Sequence, residues 1–421
     1  MRKIIFIQAF VLMALLFFGF GCSSKMAGEV QLGFGNYGAA IQNFEKAVSE
    51  NPDDGEARKL LGIAYYKNGQ AEPAALELTR ALEILPDDPD ARYYLGLAEL
   101  RRGNGESAAR NWRRHHDPEH PRVQEAVNQQ LTLLEISQSI KLAKKAVADE
   151  ESLQTQAPQP GSVAVFYYYD ATPDQQFRYL QKALAAMIIT DLSQVKSLTV
   201  VERLRVQYLL EEMALGRTDV IDPGTAPRTG RLLGAESLVI GTLASGSIQS
   251  ETSVASTVKK DVIATFPAAD EEENFFKLEK EIVSNLLGIL KISPTQAEKQ
   301  VIDKYHTTSY PAVICYGQAL DAQDKGQWKD AREYYRCALT ADPGFSLARQ
   351  GLDHCPGENA PGIGELGEMD ASGLAEMAET GIRSAQVRDH HEAEQEQRTG
   401  STGDREEADA GDGRGDISVS W

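Results

Sequence analysis

Residues 62–96 read GIAYYKNGQAEPAALELTRALEILPDDPDARYYLG, and the glycines at the two ends of this stretch belong to a register that extends on both sides of it. Gly28, Gly62 and Gly96 stand 34 residues apart. The same interval separates Gly35, Gly69 and Gly103, then Ala40, Ala74 and Ala108, then the bulky Phe44, Leu78 and Trp112. Ala47 and Ala81 keep the register, as do Pro52 and Pro86. A fixed period of this length marks units that cannot bury an apolar face alone and bury it by stacking on their neighbours. Small residues at fixed places allow close approach, and proline interrupts a helix.

This pattern resembles the tetratricopeptide repeat. The third copy carries His115 and His120 where alanine and proline are expected, and it reads as a terminal, capping unit. A further copy lies near the other end of the chain, with Ala312, Ala319, Gly326, Ala331, Tyr335, Ala338 and Pro343 in the corresponding columns and a following helix over Phe345 to Leu352. A single repeat must cover its stripe with a neighbouring domain or another chain. The resemblance implies a concave groove lined by first-helix residues, here Glu56, Lys59, Ile63, Tyr66, Tyr93, Leu97 and Arg101. Such a groove takes envelope proteins or peptides; a plain spacer is the alternative.

The chain opens with Arg2 and Lys3, an apolar run from Ile4 to Phe20, and then Gly21-Cys22-Ser23-Ser24. A charged start, an apolar middle and a small residue before the cut describe an export signal. Gly21-Cys22 resembles a bacterial lipobox, with Gly19 where leucine is usual. The resemblance implies cleavage after residue 21 and acylation of Cys22, and two or more acyl chains anchor a protein where one does not. Ser23 after the cysteine implies the outer membrane, with the chain on its periplasmic side. An uncleaved membrane helix and soluble export are the alternatives. Cys315, Cys337 and Cys355 remain; an oxidising compartment permits one disulfide, and three free thiols is the simpler reading.

Between the repeats the periodicity changes. Residues 121–149 carry apolar positions at helical spacing (Val127, Leu131, Leu134), and Gln154 to Gly161 is a linker. Val163 to Tyr169 (VAVFYYY) is β-branched and aromatic and predicts a buried strand. Phe177, Leu180, Leu184, Met187 and Ile188 mark a helix; Leu198 to Glu202 is a strand, Leu204 to Leu215 a helix, Thr225 to Leu233 a helix and Ser237 to Leu243 a strand. Strands alternating with helices predict an α/β sandwich with a partly parallel sheet. Val200-Val201-Glu202-Arg203, Leu210-Glu211-Glu212, Asp222, Gly230, Leu233-Gly234-Ala235 and Gly241 resemble the curli-secretion lipoprotein family (CsgG-like), whose core is shared with the N-terminal domain of the Tol translocation protein. Gly234 is placed to stop a helix in a left-handed conformation, and Arg203 beside Glu202 reads as a strand-end ion pair. The family implies envelope location and secretion. A secretion pore needs amphipathic membrane hairpins. The single available stretch, Ser247 to Phe266, has Val254, Ser256, Val258, Val262, Ala264 and Phe266 on one face, but Lys259-Lys260-Asp261 at its centre makes a solvent-facing hairpin the better reading.

Other motifs carry no chemistry. Gly33 to Gly38 and Gly362 to Gly367 fit G-x-G-x-x-G without a preceding strand. His115-His116-Asp117-Pro118-Glu119-His120 offers metal-ligand types at a repeat end, where nothing fixes them, so no metal and no cofactor is expected. His390-His391 and Arg414-Gly415-Asp416 lie in a tail expected to be disordered from 356 onward. That tail holds 16 acids against 5 bases, a large share of the net charge of −19 carried by the 421 residues. A negative surface repels nucleic acid, which is not expected as a partner.

The expected fold class is thus α plus α/β. Its parts are a leader (1–21), repeats (22–120), a helix and linker (121–160), a CsgG-like α/β domain (161–295), a repeat-like helical hairpin (296–355) and an acidic tail (356–421). The expected role is a non-catalytic scaffold in envelope assembly or secretion. An oligomeric secretion channel and an activator of peptidoglycan synthesis are the alternatives, and homo-oligomerisation stays open.

Overall fold

The computed structural model describes residues 24–153, 155–213, 226–244 and 248–388. The leader, Cys22, Asp222, Ser247 and everything beyond 388 lie outside the described residues. These fall into two compact units, 24–130 with 370–388, and 131–369. No helix among them is long and apolar enough to cross a membrane.

In the first unit the repeat columns become three helical hairpins: α1 (Ser24–Gly33) with α2 (Tyr37–Glu50), α3 (Gly55–Lys67) with α4 (Ala71–Ile84), and α5 (Pro89–Arg101) with α6 (Gly105–Arg113). The glycine column and the bulky column are the two sides of one contact. A Cβ on Gly28 would lie 2.6 Å from Phe44, one on Gly62 would lie 2.6 Å from Leu78, and one on Gly96 would lie 2.1 Å from Trp112. Each glycine therefore lets the next helix press a large side chain onto backbone. The second glycine column ends the first helix of every pair. Gly69 has φ +77, and the amide of Gln70 reaches back to the Tyr65 carbonyl at 2.9 Å, closing the helix in a left-handed turn. Asp54 and Asp88 open the following first helices by accepting from the amides of Ala57 and Ala91 at 2.9 and 2.8 Å.

The long helix α7 (Pro121–Ala148) follows, with Val127, Leu131 and Leu134 buried. Disorder was expected from 356, but the chain forms a helix over Ile363–Glu368 and another over 371–388. The second belongs to the first unit and buries Leu374, Ala375, Ala378, Ile382 and Ala385. Mean composition hid this stripe, because three of its five buried positions are alanine. Residues 389–421 lie outside the described residues.

The second unit is built on one mixed sheet. After α8 (Glu150–Leu153), β1 (Gln159–Val165) pairs in parallel with β3 (Thr199–Val200) on one side and β4 (Ala235–Ala244) on the other. The expected strand 163–169 is split, because β2 (Tyr169–Asp170) makes a separate parallel pair with β4. β5 (Ile248–Ser256) and β6 (Asp261–Asp270) extend the sheet antiparallel. Pro267, which cannot donate to a ladder, lies on the last strand of the order β3-β1-β4-β5-β6. Helices α9 (Leu180–Leu192), α10 (Arg203–Glu212) and α11 (Ala226–Leu233) connect the strands. As expected, Gly234 stops α11 with φ +69.

Helix α12 (Phe275–Ile289) packs on β5 and β6, and α13 (Gln296–Ile302) follows. The hairpin's inner face (Ile248, Val254, Phe266, Ala268) is therefore part of the core, while Gln249, Glu251, Ile263 and Thr265 face outward. The isolated repeat forms α14 (Tyr310–Asp324) and α15 (Trp328–Ala341), with α16 (Ser346–His354) behind them and α17 (Ile363–Glu368) beyond. Its stripe is covered by the neighbouring α/β domain: α14 packs on α9, and Gly317 lies so close to Tyr179 that a Cβ would stand 1.9 Å from its carbonyl oxygen. Ala312, Ala319, Ala331, Tyr335 and Phe345 thus share one core with Val163, Leu184 and Ile282. Cys315 on α14 and Cys337 on α15 form a disulfide, against the simpler expectation of three free thiols. Cys355 is free and buried, and burial pushes its thiol up to about 12.

Candidate peptide-binding groove

The first helix of each repeat supplies the expected groove residues, and the register decides which side chains meet. Tyr66 and Lys67 end α3; Arg101 ends α5 one repeat later, at the position equivalent to Lys67. Helical spacing carries Tyr93 and Tyr94 towards the same place. The rings of Tyr66 and Tyr94 meet edge to face at 5.7 Å, and those of Tyr93 and Tyr94 lie 4.9 Å apart. The Arg101 guanidinium stacks 4.2 Å above the Tyr66 ring, and the Lys67 ammonium lies 5.4 Å from that of Tyr94. Two cations held over aromatic faces make a positive, partly dry surface.

One carboxylate sits on it. Glu379 of the 371–388 helix accepts from Lys67 Nζ at 2.6 Å, from the Tyr66 hydroxyl at 3.1 Å and from an Arg101 terminal nitrogen at 3.2 Å. Burial alone would raise the Glu379 pKa; the bonds and charges of Lys67, Tyr66 and Arg101 outweigh it and hold the group below its ordinary value. Burial, and then the nearby Glu379 charge, push the Tyr66 phenol up, so it stays a donor.

The expected groove residues divide. Tyr66 and Arg101 converge on Glu379, and Tyr93 is buried in the same aromatic group. Ile63 and Leu97 are buried. Lys59 is held by Glu56 and Asp88, each at 2.9 Å, and is not an available cation. Lys67 was missed, although the repeat interval applied to Arg101 leads directly to it. Glu379 had no signal beyond the helical spacing of the buried positions around it. Cys22 lies outside the described residues.

The histidine run at the third repeat does not gather into a site. His115 faces Gln124 at 3.0 Å, and His120 faces Asp117. Arg203 reaches far beyond its sequence neighbour: it bonds both Asp324 oxygens at 2.8 Å and the Tyr167 hydroxyl at 3.0 Å, while Lys182 joins Asp324 at 2.8 Å. This buried network ties α14 to the sheet domain. A second buried group brings ligand atoms of Asp191, Glu279 and His306 within 4.8 Å of one another. Lys280 already bonds Asp191 and lies 3.1 Å from Glu279, so an ammonium supplies countercharge to both carboxylates. Burial and then the Asp191 charge raise the Glu279 pKa well above the usual carboxylate range.

Comparison with known proteins finds a tetratricopeptide repeat match over residues 31–92 and a match to the curli production assembly/transport component CsgG over 150–255. No curated protein matches the chain. Among solved structures, yeast Tom70 is similar over 79% of this chain, which spans 66% of that one, at 12% identity and a TM-score of 0.25; so low a score carries no argument. The chain therefore combines a region matching the tetratricopeptide repeat with one matching CsgG.

Proposed function

We propose that this is a non-catalytic, lipid-anchored protein of the bacterial envelope that holds protein partners on the periplasmic side of the outer membrane, in envelope assembly or secretion. The observation that carries this reading is the pairing of the two matches in one chain, a repeat that in general binds proteins and a domain similar to a curli assembly and transport component. The apolar leader ending at Gly21-Cys22 supports the anchor, since acyl chains on one cysteine attach a folded domain without a spanning helix. Labelled palmitate fed to cells is expected to enter the full chain and not its Cys22→Ser variant, which leaves the membrane fraction. Equal labelling of the two would remove the anchor.

The CsgG match also keeps an oligomeric channel in view. Against it stands the β5–β6 hairpin, whose inner apolar face packs on α12 and whose outer face carries Gln249, Glu251, Ser253 and Thr265, with Ile263 a large apolar side chain among them. A ring-sized mass for the detergent-extracted chain, with conductance in a lipid bilayer, would replace the scaffold by the channel.

A further inference from the structure

The repeats of the first unit hold a ligand already, and the ligand is the chain itself. The 371–388 helix starts at Asp370, whose side chain accepts from the Gly373 amide at 2.8 Å. It seats one face, Leu374, Ala375, Ala378, Ile382 and Ala385, and presents Glu379 from the flank of that face to Tyr66, Lys67 and Arg101. The three groups come from two successive repeats and meet on one carboxylate. Within its own helix Glu379 also accepts from Arg383 at 3.0 Å. The opposite face, with Glu376, Thr380 and Ser384, is exposed. Alanine fills most of the seated positions and buries little apolar surface, so the helix is held lightly for its length. An intramolecular ligand nevertheless competes at an effective concentration set by its tether, whatever the concentration of the chain.

We propose that the groove of the first unit recognises an amphipathic helix bearing a carboxylate beside a stripe of small and branched apolar residues, and that 371–388 is a tethered competitor which such a partner helix displaces. This rests on the reading of the repeats as a protein-binding module. It adds the chemistry of the partner and the means by which binding is held back.

The test uses the full chain and a fluorescent synthetic peptide of residues 370–388. Ala378→Asp with Ile382→Asp unseats the resident helix and leaves every groove residue in place. The peptide is expected to bind this double variant at least about tenfold more tightly than the native chain, because the competitor is gone. Adding Arg101→Glu and Lys67→Glu is expected to abolish binding, and a peptide carrying Glu379→Lys is expected to bind at least about tenfold more weakly. Equal affinity for the native chain and the double variant overturns the competition, and absence of binding to a double variant with native circular dichroism overturns the recognition. Hydrogen exchange on the unmutated chain gives a reading free of folding effects. Amides 374–385 are expected to be protected and to lose protection as unlabelled peptide is added; exchange at free-chain rates, or protection that excess peptide leaves unchanged, contradicts the proposal. A dimer mass that disappears in the double variant would show the helix seated on a second copy and overturn the tether. None of these outcomes bears on acylation of Cys22, so failure here and failure of the envelope reading are separable.

Discussion

A Cβ on Gly96 would stand 2.1 Å from the Trp112 indole, and no low-energy shift of a ring buried on all sides relieves it. Gly96→Val is expected to lower unfolding stability by about 1–3 kcal/mol in a urea titration, the usual cost of overpacking. Gly38 is the contrast within the same repeats, since a Cβ there meets nothing within 4 Å. Gly38→Ala is expected to be neutral or to stabilise by up to about 1 kcal/mol, through helix propensity alone. Equal losses in the two variants would mean that the glycine column serves backbone freedom and not close approach. At this scale the sequence was informative, because a contact between a glycine and a large side chain recurs at fixed spacing and so prints itself as two columns.

Elements were legible where the pattern was local and obscure where it was long-range. The hairpins of the repeats, the helix over 121–148 and the alternation of strand and helix in 163–243 follow from spacing of three or four, or two, along the chain. The docking of α14 on α9 does not. It depends on Asp324 accepting from Arg203 and Lys182, which lie 121 and 142 residues away. Asp324→Ala leaves two cations in a site where the carboxylate was almost wholly enclosed, and a loss of about 3–5 kcal/mol is expected by chemical denaturation, as for other broken buried pairs. A loss under about 1 kcal/mol would class the network with exposed surface pairs. The 371–388 helix was hidden for a different reason: its stripe is mostly alanine inside an acidic segment, so average composition pointed to disorder. Tyr66 and Arg101 were legible from first-helix positions; Glu379, the carboxylate they meet, was not. Glu379 titrates below its ordinary value when seated, so its contribution is complete above about 4.5 and is lost as pH falls through the depressed value. Protection of amides 374–385 is expected to hold from pH 7 down to about 4.5 and to fall below it. Protection that rises on acidification would mean that Glu379 opposes the seating.

For the whole molecule, two modules of different character share one chain. A repeat unit carries a positive carboxylate site within a chain of net charge −19, and an α/β unit absorbs a further repeat into its own core. The repeat and α/β classes could be read from periodicity, whereas the union of α14–α17 with the sheet domain required knowing which side chains 100 or more residues apart neutralise one another. As proposed, the chain works by holding protein partners from a lipid-anchored position. In-cell crosslinking followed by purification of the full chain, with Cys22→Ser and Lys67→Glu/Arg101→Glu variants in parallel, tests it most directly. A defined set of envelope proteins is expected on the native chain, lost when the anchor is removed and reduced when the charges of Lys67 and Arg101 are reversed. The same set on all three chains, or none on the native chain, would contradict it.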